Sequence, residues 1–176
     1  VSVIMGMVLS TARSGFMAAL GIILGLTGPA AGAATIGCCC QMVGFAVASF
    51  RKTRRRPSGQ GIGTSMLQVP NIVRHPQIWI PEILSSAILG PIAISKWIGM
   101  TNNATGSGMG TSGLVGQIMT WQTMTVSENP VSVLIKILLF HFILPAIVTL
   151  VFSEAMRKHN MIKKRRYGIV YLRGLA

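Results

Sequence analysis

The sequence predicts an all-α integral membrane protein, with three to four transmembrane helices of about 20 residues each and broken or re-entrant glycine-rich segments between them. Three observations predict this class. The 176 residues are 51% hydrophobic, and their mean hydropathy is +0.60. Charged residues make up 11% of the chain, against roughly 25% in soluble domains. The basic residues gather immediately after apolar stretches: Arg51, Lys52, Arg54, Arg55 and Arg56 in one run, and a second set from Arg157 to Arg173. That placement follows the rule that Lys and Arg beside span ends stay on the cytoplasmic side.

The elements follow in chain order. Val1 to Leu26 is apolar but broken by Ser10-Thr11-Ala12-Arg13-Ser14-Gly15, which suits a discontinuous helix or a re-entrant hairpin better than a plain span. Its apolar stretch lacks the leading basic region of a secretory signal, and an opening Val leaves a processed start and a fragment equally open. Pro29 to Phe50 is a span whose first half is lined with small residues that allow close helix packing. Gln77 to Gly99 is the next, with Trp79 and Trp97 near its ends as interfacial anchors. Val131 to Glu154 is the most apolar, interrupted by Pro145 and closed by Glu154, Arg157 and Lys158 at pairing distance along a helix. Three crossings run out to in, in to out and out to in. They leave residues 1–156 as a transmembrane domain and 157–176 as a basic cytoplasmic tail.

Between the spans, G-x-G-T-S-x-L occurs twice, at Gly61 to Leu67 and at Gly108 to Leu114. One crossing separates the copies, so they approach the membrane from opposite faces, as in an inverted repeat whose broken helices meet substrate at mid-membrane. Coincidence between two Gly/Ser/Thr-rich loops is the alternative. Gly108 to Gly113 also spells G-x-G-x-x-G, but no strand pattern precedes it and no acidic residue follows to hold a ribose, so it predicts no dinucleotide cofactor.

Ionisable groups at membrane depth cost at least about 2.5 kcal/mol and are candidates for function. Arg13 could hold a ligand or neutralise Glu82. Glu82 could accept ligand hydroxyls or a proton, or could face interfacial water. His141 lies four residues before Pro145, which has no N–H to donate to its carbonyl; a histidine bonded to a neighbouring helix is the plainer reading. Gln41, Gln68, Asn71, Asn102, Asn103 and Gln117 are amides near breaks in the spans and offer donor and acceptor together, which suits a polyol and suits helix-to-helix bonding equally. With Gly108, Gly110, Thr111 and Ser112 they complete the substrate-binding set. Lys96 and Lys136 are expected to snorkel to an interface. Cys38, Cys39 and Cys40 are consecutive and cannot chelate one metal, so they read as small packing residues. With no Asp in the chain, no Ser-His-Asp set can form, and no metal or cofactor is predicted. Aromatics at 6% argue against nucleic acid as the partner of the basic clusters; anionic lipid suits them better.

Cys38 to Phe50 (CCCQMVGFAVASF), Gly61 to Pro81 (GIGTSMLQVPNIVRHPQIWIP) and Gly106 to Gly116 (GSGMGTSGLVG) together resemble the integral membrane IIC-like family of the phosphoenolpyruvate-dependent sugar phosphotransferase system, in its stand-alone branch. The resemblance covers most of Val1 to Pro145 and implies the C-terminal half of a larger permease fold. It implies a bacterial plasma-membrane permease component that binds and carries a small polar substrate such as a sugar. Phosphorylation would fall to separate cytoplasmic IIA/IIB-type proteins, and a homo-oligomer or a second membrane chain would complete the assembly. Arg13 and the strongly basic loop 51–57 depart from the family's pattern. Two other readings stand beside it: a non-transporting membrane regulator or scaffold that docks through its basic loop and tail, and an accessory subunit of a larger membrane complex.

Overall fold

The computed structural model describes residues 21–53, 72–73 and 75–158, with the side chains of 50–53 excepted. Arg13, Gln68, Asn71, the first glycine-rich copy, most of the basic loop and the tail beyond Lys158 lie outside the described residues. Among the described residues every regular element is helical; the one extended contact is an isolated bridge between Gly28 and Asn102.

The order is α1 (Gly28–Thr53), a 3-10 turn (Pro76–Trp79), α2 (Ile80–Ala93), a short α3 (Ala104–Ser107), a 3-10 turn (Ser112–Leu114), α4 (Val115–Met124), α5 (Pro130–Ile137), a π-helical turn (Leu138–Ile143) and α6 (Leu144–Lys158). Two stretches are long and apolar enough to cross a bilayer, Gly28–Ser49 and the continuous Pro130–Lys158. The expected span Gln77 to Gly99 forms a shorter regular helix. Pro91 withholds an N–H inside α2, and the chain turns at Ser95 to Gly99, where Gly99 takes φ 64.

α1 is the central post. It packs against α2, α3, the π turn and α6, and its membrane-length window is 89% buried, against 28% for Pro130–Lys158. Runs of Ala and Gly, with the three buried cysteines, make this possible because they let neighbouring backbones come close. Leu89, Ala93, Met100 and Phe140 pack around Ile36 and Cys40, while Ile78 and Met156 close around Phe45 and Ala48. The outer helices turn apolar residues outward: Ile83, Leu84, Ile88 and Ile92 on α2, and Val131, Leu134, Ile135, Leu138, Ile147 and Val151 along α5 and α6. A largely apolar exterior of this extent is a surface suited to lipid.

The long helix has defined ends. Asn129 caps it by accepting the Val131 N–H at 3.1 Å, and Arg157 Nη1 donates to Glu154 Oε1 at 2.7 Å in its last turn. Lys136 extends toward the loop that precedes its helix. Its Nζ donates to Glu128 Oε2 and to the Ile98 carbonyl, both at 2.6 Å, and so ties α5 to the turn after α2. The π turn falls just before Pro145, with the Leu144 N–H donating to the Leu139 carbonyl five residues back. A wider turn relieves the clash between a proline ring and the preceding turn, and it rotates His141 inward, where it is buried.

Candidate functional site

The second glycine-rich segment folds as α3, a run of turns and a 3-10 turn, and it lies against the middle of α1. Cys38 is ten residues from Gly28 and eleven from Ser49, so it marks the midpoint of that membrane-length helix. Its Sγ lies 3.9 and 3.5 Å from the Ser107 and Gly108 carbonyls, alternative acceptors for its one proton. Gly110 permits the approach: it has φ 51, and a Cβ there would stand 2.6 Å from Cys38 Cβ. Any other residue would meet both a steric clash and the left-handed backbone that L side chains avoid. Two residues in a row, Gly113 (φ 54) and Leu114 (φ 60), then take the left-handed conformation before α4 begins. A leucine in that region is strained. Ser112 stands between these turns, half-buried and engaged by neighbours, and Thr111 is fully buried and engaged likewise.

Asn102 and Asn103 organise this segment. Asn102 Nδ2 donates to Thr35 Oγ1 at 2.8 Å and to the Gly116 carbonyl at 3.3 Å, and its Oδ1 accepts the Asn103 N–H at 2.8 Å. Thr35 Oγ1 in turn donates to the carbonyls of Ala31 (2.8 Å) and Gly106 (3.2 Å), alternative acceptors for one proton. Asn103 Oδ1 accepts the Gly106 N–H at 2.9 Å and caps α3, and its Nδ2 reaches Met119 Sδ at 3.2 Å. The hydrogen bonds of these two amides are spent inside the protein.

Gln117 and His141 are arranged differently. Gln117 Nε2 lies 3.1 Å from His141 Nδ1 and 3.7 Å from Cys39 Sγ. With the amide nitrogen donating, Nδ1 accepts, and the proton of the neutral ring sits on Nε2. Gln117 Oε1 is buried and has no hydrogen-bond partner. Leaving such an acceptor unpaired costs about 1–3 kcal/mol, and a buried orphan calls for an explanation in function, water or an ion. The pair meets α1 at Cys39, again at mid-helix, and joins α4 to the π turn. π turns inside α-helices often mark functional positions.

Glu82 stands apart from this pair. It is fully buried where α2 meets α1 and α6, close to Gly44 and Thr149. Gln41 is buried on α1 and engaged by neighbours. The expected site set therefore divides. Gly108, Gly110, Asn102 and Asn103 build the glycine-rich segment, Gln117 and His141 face each other, and Glu82 occupies its own junction. Thr35, Ser85 and Thr149 were absent from the expected set. Serine and threonine in helices bond the carbonyl of the preceding turn and look like small packing residues in a sequence; Ser85 and Thr35 both do so.

Membrane-length helices, an apolar exterior and buried polar groups gathered at mid-helix define an all-α membrane protein with a polar interior. The family model described as Phosphotransferase system, EIIC matches residues 1–169. The chain belongs to that family, and it is a membrane-located IIC component of a phosphotransferase system. Comparisons with curated proteins and with solved structures returned no match.

Proposed function

We propose that this chain binds a small polar substrate, a sugar or related polyol, at the Gln117–His141 pair and carries it across the membrane as the permease part of its phosphotransferase system. The observation that carries the reading is the unpartnered Gln117 Oε1, buried beside His141 at the midpoint of α1. An acceptor that finds no donor in the protein suits a hydroxyl donated by a ligand, and the adjoining ring adds a second polar contact. The backbone of the glycine-rich segment reaches the same level of α1 at Cys38, which supports its being re-entrant rather than a surface loop. Irregular backbone at that depth is tolerated where it is buried in protein or lines a cavity. The basic loop and tail are cytoplasmic in this reading, where IIA- and IIB-type partners would meet the substrate and supply the phosphoryl group; the chain itself presents the substrate and performs no chemistry.

The test is uptake of a panel of labelled hexoses and hexitols in cells that carry or lack the gene. Uptake that depends on the gene and disappears in Gln117→Leu, with the variant still present in the membrane, supports the proposal. Gene-dependent uptake that is unaltered in both Gln117→Leu and His141→Leu removes the pair from the substrate path, and equal uptake with and without the gene across the panel contradicts transport of this substrate class.

A further inference from the structure

Three helices converge on Glu82, and Gly44 is what lets them. A Cβ at that position would sit 2.8 Å from Thr149 Cγ2, 2.9 Å from Thr149 Oγ1 and 3.2 Å from Glu82 Cγ. The Glu82 side chain is completely buried, and neither carboxylate oxygen has a hydrogen-bond partner. About one turn further along α2, Ser85 Oγ lies 2.8 Å from Thr149 Oγ1, which brings two neutral oxygens to the same α2–α6 contact.

Among the described residues, the charged and titratable groups on the surrounding elements do not balance this carboxylate. α1 brings the buried thiols of Cys38, Cys39 and Cys40, while the side chains of its Arg51 and Lys52 lie outside the described residues. α2 has no ionisable group other than Glu82 itself, and His75 precedes the 3-10 turn that leads into it. α6 carries Glu154, Arg157 and Lys158 near its end, and the first two pair with each other. The π turn brings His141, engaged by Gln117. Among the described residues no ion pair reaches Glu82. A bare carboxylate in such a place costs several kcal/mol even after the protein relaxes around it. No described residue supplies the positive charge that would offset this cost.

We propose that Glu82 is the binding site for a small monovalent cation, a proton or an alkali-metal ion, at the junction of α1, α2 and α6. It is separate from the substrate pair: Gly44 and Cys39 are five residues apart on α1, about 7.5 Å of helix rise. A loaded Glu82 is neutral overall and lets the three helices stay in contact. An emptied one draws water or a donor into the junction and loosens it. Cation occupancy thereby biases how α6 and α2 sit on the central post, whatever substrate the chain carries.

Infrared spectroscopy of the full chain in detergent, without any sugar, tests this. Glu128 and Glu154 are in ion pairs with Lys136 and Arg157, so a protonated-carboxyl C=O band at neutral pH that shifts in D2O belongs to Glu82. The proton form predicts that band in the wild type and its loss in Glu82→Gln. The alkali-metal form predicts no such band, and a melting temperature raised several degrees by sodium or potassium chloride but not by choline chloride. Thr149→Val, which keeps the carboxylate and removes a neutral oxygen, should weaken the salt effect several-fold. The wild-type measurements need no variant to fold. A carboxylate spectrum at neutral pH, combined with equal melting in all three salts, would overturn the assignment.

Discussion

Asn102 and Gln117 are two buried amides fifteen residues apart in one segment, and the protein uses them in opposite ways. Asn102 has its donors and its acceptor occupied by Thr35, Gly116 and Asn103, and so it fastens the glycine-rich segment to α1. Gln117 leaves its carbonyl oxygen bare in the interior beside a histidine. A satisfied buried network rigidifies, whereas an unsatisfied one lowers stability unless something else completes it. On the proposed function, the contrast is one between scaffold and site.

The largest effect is expected where the scaffold is tightest. Gly110→Val would force a branched side chain into Cys38 on a left-handed backbone, with a cost of about 3 kcal/mol or more; thermal melting in detergent should show either loss of monodisperse protein or a steep fall in melting temperature. Asn102→Leu keeps approximate volume while stripping the Asn103 N–H of its acceptor and removing a donor from Thr35 and Gly116. A loss of about 2–4 kcal/mol is expected in the same assay, and an unchanged melting temperature would remove Asn102 from the scaffold. Asn103→Ala deletes only the cap of α3 and one contact to Met119, so about 1 kcal/mol is expected, readable as faster hydrogen exchange at Gly106.

Much of this architecture was legible in the sequence because apolar length and terminal signals are local. The run Val131 to Glu154 appears within the continuous helix Pro130–Lys158, and the Glu154–Arg157 pairing follows from helical spacing alone. Gln77 to Gly99 was less legible, since a hydropathy reading does not see that Pro91 and the turn at Ser95 to Gly99 cut the helix short. The amides were found as a group but could not be sorted. Whether an amide is satisfied depends on partners such as Thr35, 67 residues from Asn102, or His141, 24 residues from Gln117. Burial of Glu82 was likewise a tertiary fact, fixed by Gly44 and Thr149 on other helices.

The most direct check compares Gln117→Leu with Asn102→Leu by thermal melting of the purified full chain. Gln117→Leu removes an unpaired acceptor but also strips His141 Nδ1 of its donor, two effects of opposite sign, so only a small change in melting temperature is expected, while the Asn102 variant falls by several degrees. Equal losses in the two variants would mean that Gln117 is another strut of the scaffold, and the separation of binding groups from framework would be contradicted.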